Sequence, residues 1–312
     1  MATSTTRSHP RTLVLGATGR HGRTGARLVE RLLAHGHLVR VLARSDGPGA
    51  EDLRRRGVEV VIGDLLDRRS LPGAVEDVDA VYFAYPIAPG VVPAAANLAS
   101  VLREVTPSPR LVVMSMAVSR ADSPSGLGRA QWTAEEIFTW AGLEPTVLRV
   151  AGLFYENILV LHAPAIRATR AFANSFGAAR TPWISGFDAA DLAAATLIHP
   201  DRHAGGTITD PPAAELLTHT DIAAIISAEI GHDISYTPIS QRQWHDELAN
   251  SPESVINPDM AQHISTIGTM LATSTTPPPV APDAHALAEL IGHPPTPFTD
   301  FVHQHRSEFQ PH

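Results

Sequence analysis

Three glycines, Gly16, Gly19 and Gly22, follow the apolar run Leu13-Val14-Leu15 at three-residue intervals and lead into Arg23 to Leu33, which has helical spacing. Strand, tight turn and helix in that order can bind a pyrophosphate. Gly16 would supply a corner at positive φ, Gly19 would let backbone approach the phosphates with no Cβ between, and Gly22 would let the helix pack on its strand. The helix N-terminus adds unpaired N–H groups and a partial positive charge. The bland alternative is that the glycines only close a βα corner; the strand before and the helix after favour the ligand. Arg44, with Ser45 beside it, ends a second strand-like run, His37 to Arg44. An acidic residue there would hold the ribose 2′-hydroxyl of NAD, whereas a guanidinium suits a 2′-phosphate, so the expected cofactor is NADP(H). Asp64 closes a third run, Gly57 to Leu65, and should lie at the sheet edge near the adenine.

Other chemistries are excluded by composition. All 24 basic residues are arginine and there is no cysteine, so Schiff bases, a phosphate-binding lysine, thiolate catalysis and disulfides are ruled out within this chain. The x-spaced pairs His35/His37 and His303/His305 lack carboxylate partners at useful spacing, so no metal site is expected. Glu135 and Glu136 are adjacent on a helix, point differently, and do not make an acid/base pair.

The elements that must position these residues alternate. Further strands are expected at Asp79 to Pro86, Arg110 to Ser115 and Pro145 to Val150, with helices at Val91 to Val105 and Gly128 to Trp140. Such spacing implies right-handed βαβ units in a parallel sheet of order 3-2-1-4-5-6, with the ligand along its carboxyl edge. The fold class is α/β: a doubly wound parallel Rossmann sheet with a small C-terminal α+β substrate lobe. Residues 1–11 read as a disordered lead-in and not a signal peptide, 12–155 as the dinucleotide domain, and 156–312 as the lobe, with some return to the sheet. In the lobe, short strands are expected at Thr207 to Thr209 and Ile234 to Thr237. Helices are expected from about Thr218 to Ile230, from Glu253 to Leu271, and, as a single amphipathic tail, from Phe298 to Phe309.

With these pieces in this order, the sequence resembles the NmrA-like branch of the atypical short-chain dehydrogenases/reductases. The matching segments are Gly16 to Gly22, Val39 to Arg44, Gly63-Asp64-Leu65, Leu148 to Asn157, and Gly292 to Phe301. The resemblance implies phosphate contacts from Gly16, Thr18, Gly19, Arg20, His21 and Gly22. It puts Arg44, with Arg20 as a second option, at the 2′-phosphate, Asp64 and Leu65 near adenine, and Ala84 and Tyr85 near the ribose. Relatives carry Tyr-x-x-x-Lys or His-x-x-x-Lys after the fifth strand, where this chain has Gln131 and Glu135. Glutamine gives up no proton at neutral pH, and a glutamate raises a neighbouring acid's pKa. Ser115 stands near the family's serine. Tyr155 and Asn157 follow the sixth strand, where the family lines its pocket, and Trp132 and Phe154 are further candidate walls for an aromatic substrate.

With 312 residues, 44% hydrophobic and 18% charged, the chain reads as a soluble globule, and a formal charge of -8 argues against nucleic acid or an anionic membrane as partner. The expected compartment is the cytoplasm, with a homodimer left open. The expected activity is NADPH-dependent reduction of a small hydrophobic or aromatic carbonyl, enone or quinone. Hydride would come from nicotinamide C4, and the proton through Tyr155, Ser115 or water, with Gln131 in the site. A redox sensor without turnover, or a non-redox cyclisation or elimination enzyme, is the alternative.

Overall fold

The computed structural model describes residues 9–17, 24–202, 205–251, 256–275 and 280–310. Six strands come from the first half: β1 (Arg11–Val14), β2 (Leu38–Ala43), β3 (Glu59–Ile62), β4 (Ala80–Phe83), β5 (Arg110–Met116) and β6 (Thr146–Val150). They are parallel and lie in the order 3-2-1-4-5-6. Side-chain alternation sends Leu13, Val81, Phe83, Leu111 and Val113 to one face, where the helices Val91–Leu102 and Gly126–Trp140 cover them. Val14, Val41, Tyr82 and Leu148 point to the other, under the helices Thr24–Ala34 and Gly186–Ile198. Each fully buried leucine or phenylalanine in these layers contributes about 1.5–3 kcal/mol over an exposed one.

The remaining strands are β7 (Leu153–Phe154), β8 (Ala171–Asn174), β9 (Thr181–Ile184), β10 (Ile208–Thr209), β11 (Glu215–Leu217) and β12 (Ser235–Pro238). β10 pairs in parallel with β6 as a seventh strand of the main sheet, the return of the C-terminal half to the sheet that the sequence leads one to expect. Strands β11, β9 and β7 make a small second sheet, and β12 pairs with β8. A third core, built on Tyr155, Phe172, Trp183, Ile222, Phe298 and Phe301, organises the lobe.

Several boundaries move for local reasons. The helix Gly126–Trp140 begins earlier than expected because the Ser125 hydroxyl caps it, accepting from the Gly128 N–H at 3.3 Å. Thr218 and Asp221 form a reciprocal capping box that starts His219–Ile230. The expected helix from Glu253 starts, among the described residues, at Pro258, where Asn257 caps it. The tail is not one helix but two, Phe298–Gln304 and Arg306–Phe309.

Candidate functional site

At the carboxyl end of β1, Gly16 takes φ +84°, and a Cβ there would lie 2.7 Å from the Ala84 carbonyl oxygen. The turn therefore runs closely past the end of β4, an approach only glycine permits. Thr18, Gly19, Arg20, His21 and Gly22 lie outside the described residues. Gly25 continues their three-residue interval and was not singled out from the sequence. A Cβ on it would come within 2.5 Å of the Gly16 carbonyl oxygen and 2.6 Å of the Ala17 Cα, so the first helix crosses the turn at this point.

Arg44 sits just past β2, exposed, with no hydrogen-bond or ion-pair partner among the described residues. Its charge and that of Asp64 both reach the Tyr85 hydroxyl: burial is the main cause that raises the Tyr85 pKa, Asp64 raises it further and Arg44 opposes. Arg44, Asp64 and Tyr85 thus gather along one stretch of sheet edge beside Gly16 and Ala84. The Asp64 carboxylate accepts from the Leu66 N–H at 2.9 Å, and the Leu65 carbonyl accepts from Asn97 at 2.9 Å, which hold the loop after β3. Gly90, at φ +108°, leaves room for the Tyr85 hydroxyl, which a Cβ would meet at 2.5 Å. A close glycine turn at the crevice beside β1, together with an uncommitted guanidinium at the end of β2, fits a dinucleotide with a 2′-phosphate.

Further along the edge lies a buried polar cluster. The parallel register sets Ser115 on β5 opposite Arg149 on β6. Between them and the helix Gly126–Trp140, Glu135 is 2% exposed; its Oε1 accepts from the hydroxyls of Ser115 and, at 2.5 Å, Ser119, while Oε2 accepts from Arg149 Nε at 3.0 Å and from a second guanidinium nitrogen. One helical turn earlier, Gln131 is 6% exposed, and its amide nitrogen has no partner among the described residues. The structure therefore brings Ser115 and the Gln131/Glu135 pair to one helix–sheet junction. It also shows what the sequence reading missed: a cation is present there, supplied by Arg149. The available signal was a single charge, Arg149, inside the otherwise apolar run Val147-Leu148-Arg149-Val150.

Tyr155 is placed differently from expectation. Its ring is fully buried against Phe298 and Phe301, and its hydroxyl donates to Glu215 Oε2 at 2.6 Å. Burial and the neighbouring carboxylates push its pKa far up, and its proton is held by Glu215, so the side chain anchors the core. The reason is local: Leu153 and Phe154 form β7, which turns the chain away from β6 to pair with β9. Phe154 is half-buried against the core that holds Val150 and Ile184. Asn157 is half-buried in the helix Glu156–Leu161, and Trp132, also half-buried, follows Gln131 on the helix and faces another way. Glu156 accepts from the Gly186 N–H at 2.9 Å, and burial pushes its carboxyl up to about 7. A separate cavity of about 300 Å³ in the lobe is lined by Leu161, His162, Phe172, Trp244 and Leu248 and shares no residue with the Ser115 cluster. Among the described residues no three His, Asp or Glu side chains gather as a metal would need, and no helix is long and apolar enough to cross a membrane.

A family model described as NAD(P)H-binding matches residues 16–160. The chain is 28% identical over 305 residues to the NAD(P)H azoreductase of Xenophilus azovorans, covering 95% of this chain and 98% of that one. It is 29% identical over 304 residues to a (4-alkanoyl-5-oxo-2,5-dihydrofuran-3-yl)methyl phosphate reductase of Streptomyces griseus, covering 96% and 99%. Among solved structures, an NADPH-dependent quinone oxidoreductase of Escherichia coli complexed with NADPH superposes with a TM-score of 0.79 at 22% identity, over 94% of this chain and 99% of that one. Residues 16–160 are an NAD(P)H-binding domain, and the chain shares its fold with NADPH-dependent quinone oxidoreductase and with NmrA, a negative transcriptional regulator.

Proposed function

We propose that this protein is an NADPH-dependent reductase of small planar, conjugated acceptors, quinones and enones first, that works without a Tyr-x-x-x-Lys pair. The observation that carries the reading is the Ser115–Glu135–Arg149 cluster. At the place where relatives keep a proton donor and its lysine, this chain has an amide and a carboxylate already filled by four donors. Such a site suits an acceptor that takes hydride without an acid from the enzyme.

Bound NADPH would supply two electrons and one hydrogen as hydride from nicotinamide C4, and water would supply the proton that completes a hydroquinone. Arg44 would hold the 2′-phosphate, and the Gly16 turn would admit the pyrophosphate. The unpartnered Gln131 amide would donate to the acceptor oxygen as negative charge grows on it, which stabilises that charge without a proton transfer. The related azoreductase, phosphate-ester reductase and quinone oxidoreductase all act on conjugated acceptors by their names, which supports the substrate class.

The test is a titration with NADPH and NADH, followed by NADPH oxidation with quinones, enones and azo dyes. Tighter NADPH binding with turnover is expected. Binding without turnover on any acceptor would favour the sensor, and no binding would overturn the reading.

A further inference from the structure

Resting on the reductase reading, we propose that Glu135 is a positioning residue that fixes the direction of the Ser115 hydroxyl, so that Ser115 meets a ligand only as a hydrogen-bond acceptor. A serine hydroxyl has one proton and two lone pairs. Both the Ser115 and the Ser119 protons are committed to the same carboxylate oxygen, Glu135 Oε1. The other oxygen is held by the Arg149 guanidinium, so the carboxylate cannot turn away from the serines. What Ser115 has left is lone-pair density. The two polar groups of the junction are then complementary: the Gln131 amide nitrogen donates to an acceptor oxygen, and Ser115 Oγ receives an O–H or N–H. The ligand class this selects carries both, as a hydroquinone does through a second hydroxyl.

Arg149 also makes the arrangement testable by a single atom exchange. In Glu135→Gln the guanidinium, which only donates, draws the new carbonyl oxygen to itself and leaves the amide nitrogen facing the serines. That nitrogen donates to Ser115 Oγ, and the serine proton is released toward the ligand. The variant therefore turns an acceptor into a donor at constant shape.

The experiment is calorimetric binding of a hydroquinone and of its dimethyl ether to the NADP-saturated protein, with thermal unfolding as a check on folding. The wild type should prefer the hydroquinone by about tenfold, the worth of one hydrogen bond. Ser115→Ala, a small change that should fold, should erase the preference, and Glu135→Gln should erase it too, because a released serine proton is accepted by a hydroxyl and by an ether oxygen alike. Absence of a preference in the wild type, absence of binding, or a Ser115→Ala variant that keeps the preference would overturn the proposal. A preserved pattern of preferences with no NADPH oxidation by any quinone would sink the reductase reading alone and leave the hydroxyl assignment standing.

Discussion

Two buried carboxylates, Glu135 and Asp191, are almost equally hidden, at 2% exposure each, and both are paired with arginine, yet they serve different ends. Glu135 draws all its partners from neighbouring parts of one helix–sheet junction, and two of the four are neutral hydroxyls. Asp191, in the helix Gly186–Ile198, gathers Arg27 at 3.2 Å and Arg31 at 3.1 Å from the first helix and His293 at 2.8 Å from the tail. Three stretches of chain far apart in sequence meet on it. Nearby, Asp188 and Glu215 accept the backbone N–H groups of Thr296 and Phe298 at 2.9 and 2.7 Å, and so pin the same tail. A buried carboxylate among cations and backbone amides thus clamps distant segments, whereas one among hydroxyls sets the direction of protons. The chemistry of the partners, and not burial, separates the two roles.

The largest expected effect tests the clamp. Asp191→Ala takes the buried anion from Arg31 and His293 and leaves Arg27 only Glu30 at 3.7 Å, and should cost about 3–4 kcal/mol of stability in urea unfolding, toward the lower side because those partners are one-third exposed. A loss below about 1 kcal/mol would mean the tail is held by its apolar contacts alone. Next comes Glu156. Its carboxyl is raised from 4.5 to about 7 in the fold, so the folded chain keeps a proton that the unfolded chain releases. That contribution is full below pH 4.5 and is lost as pH rises through 7, an amount on the order of 3 kcal/mol. Glu156→Gln should flatten stability across this window, which unfolding at a series of pH values would reveal.

Site variants should behave in the opposite way. Arg44→Ala should weaken NADPH about tenfold to a hundredfold by fluorescence titration, leave NADH nearly unchanged, and barely alter stability, since Arg44 is exposed. Equal losses for the two cofactors would remove Arg44 from the 2′-phosphate. The smallest effect is expected for Tyr155→Phe. Losing the hydrogen bond to Glu215 should cost about 1 kcal/mol, with NADPH turnover per folded molecule unchanged. A lower turnover would return Tyr155 to the chemistry and blur the division between clamp and site.

The first half of the fold was legible because β1 to β6 are apolar runs separated by helices at regular spacing, and the glycine turn after β1 favours the order 3-2-1-4-5-6 among the doubly wound sheets. The Gly16 turn was legible for the same reason. The helix Gly186–Ile198 was not: Ala189, Ala190, Ala193 and Ala194 are all buried, so it carries no one-sided apolar stripe to mark it. The strands β7, β9 and β11, two to four residues long, are too short to show alternation. Misplacing Tyr155 followed from that, because nothing before β7 announces that the chain leaves the sheet edge. The Glu135–Arg149 pair spans 14 residues and depends on the β5–β6 register, which only the assembled sheet defines.

The helix Gly186–Ile198 also bears on how the protein comes into being. It covers the sheet face built by Val14, Tyr82, Val112 and Leu148, beside Leu28 and Leu32 of the first helix, and β10 follows it in the chain to complete the sheet beyond β6. A ribosome therefore delivers the whole dinucleotide-binding segment, through residue 160, with only the helix Thr24–Ala34 of that face's cover yet made. Until some 40 further residues emerge, the part of that face not under the first helix stands open to water, and Asp191 waits longer still for His293. Folding of the cofactor-binding half is tied to completion of the other, and cutting the chain between them would strand a sticky fragment instead of freeing a domain.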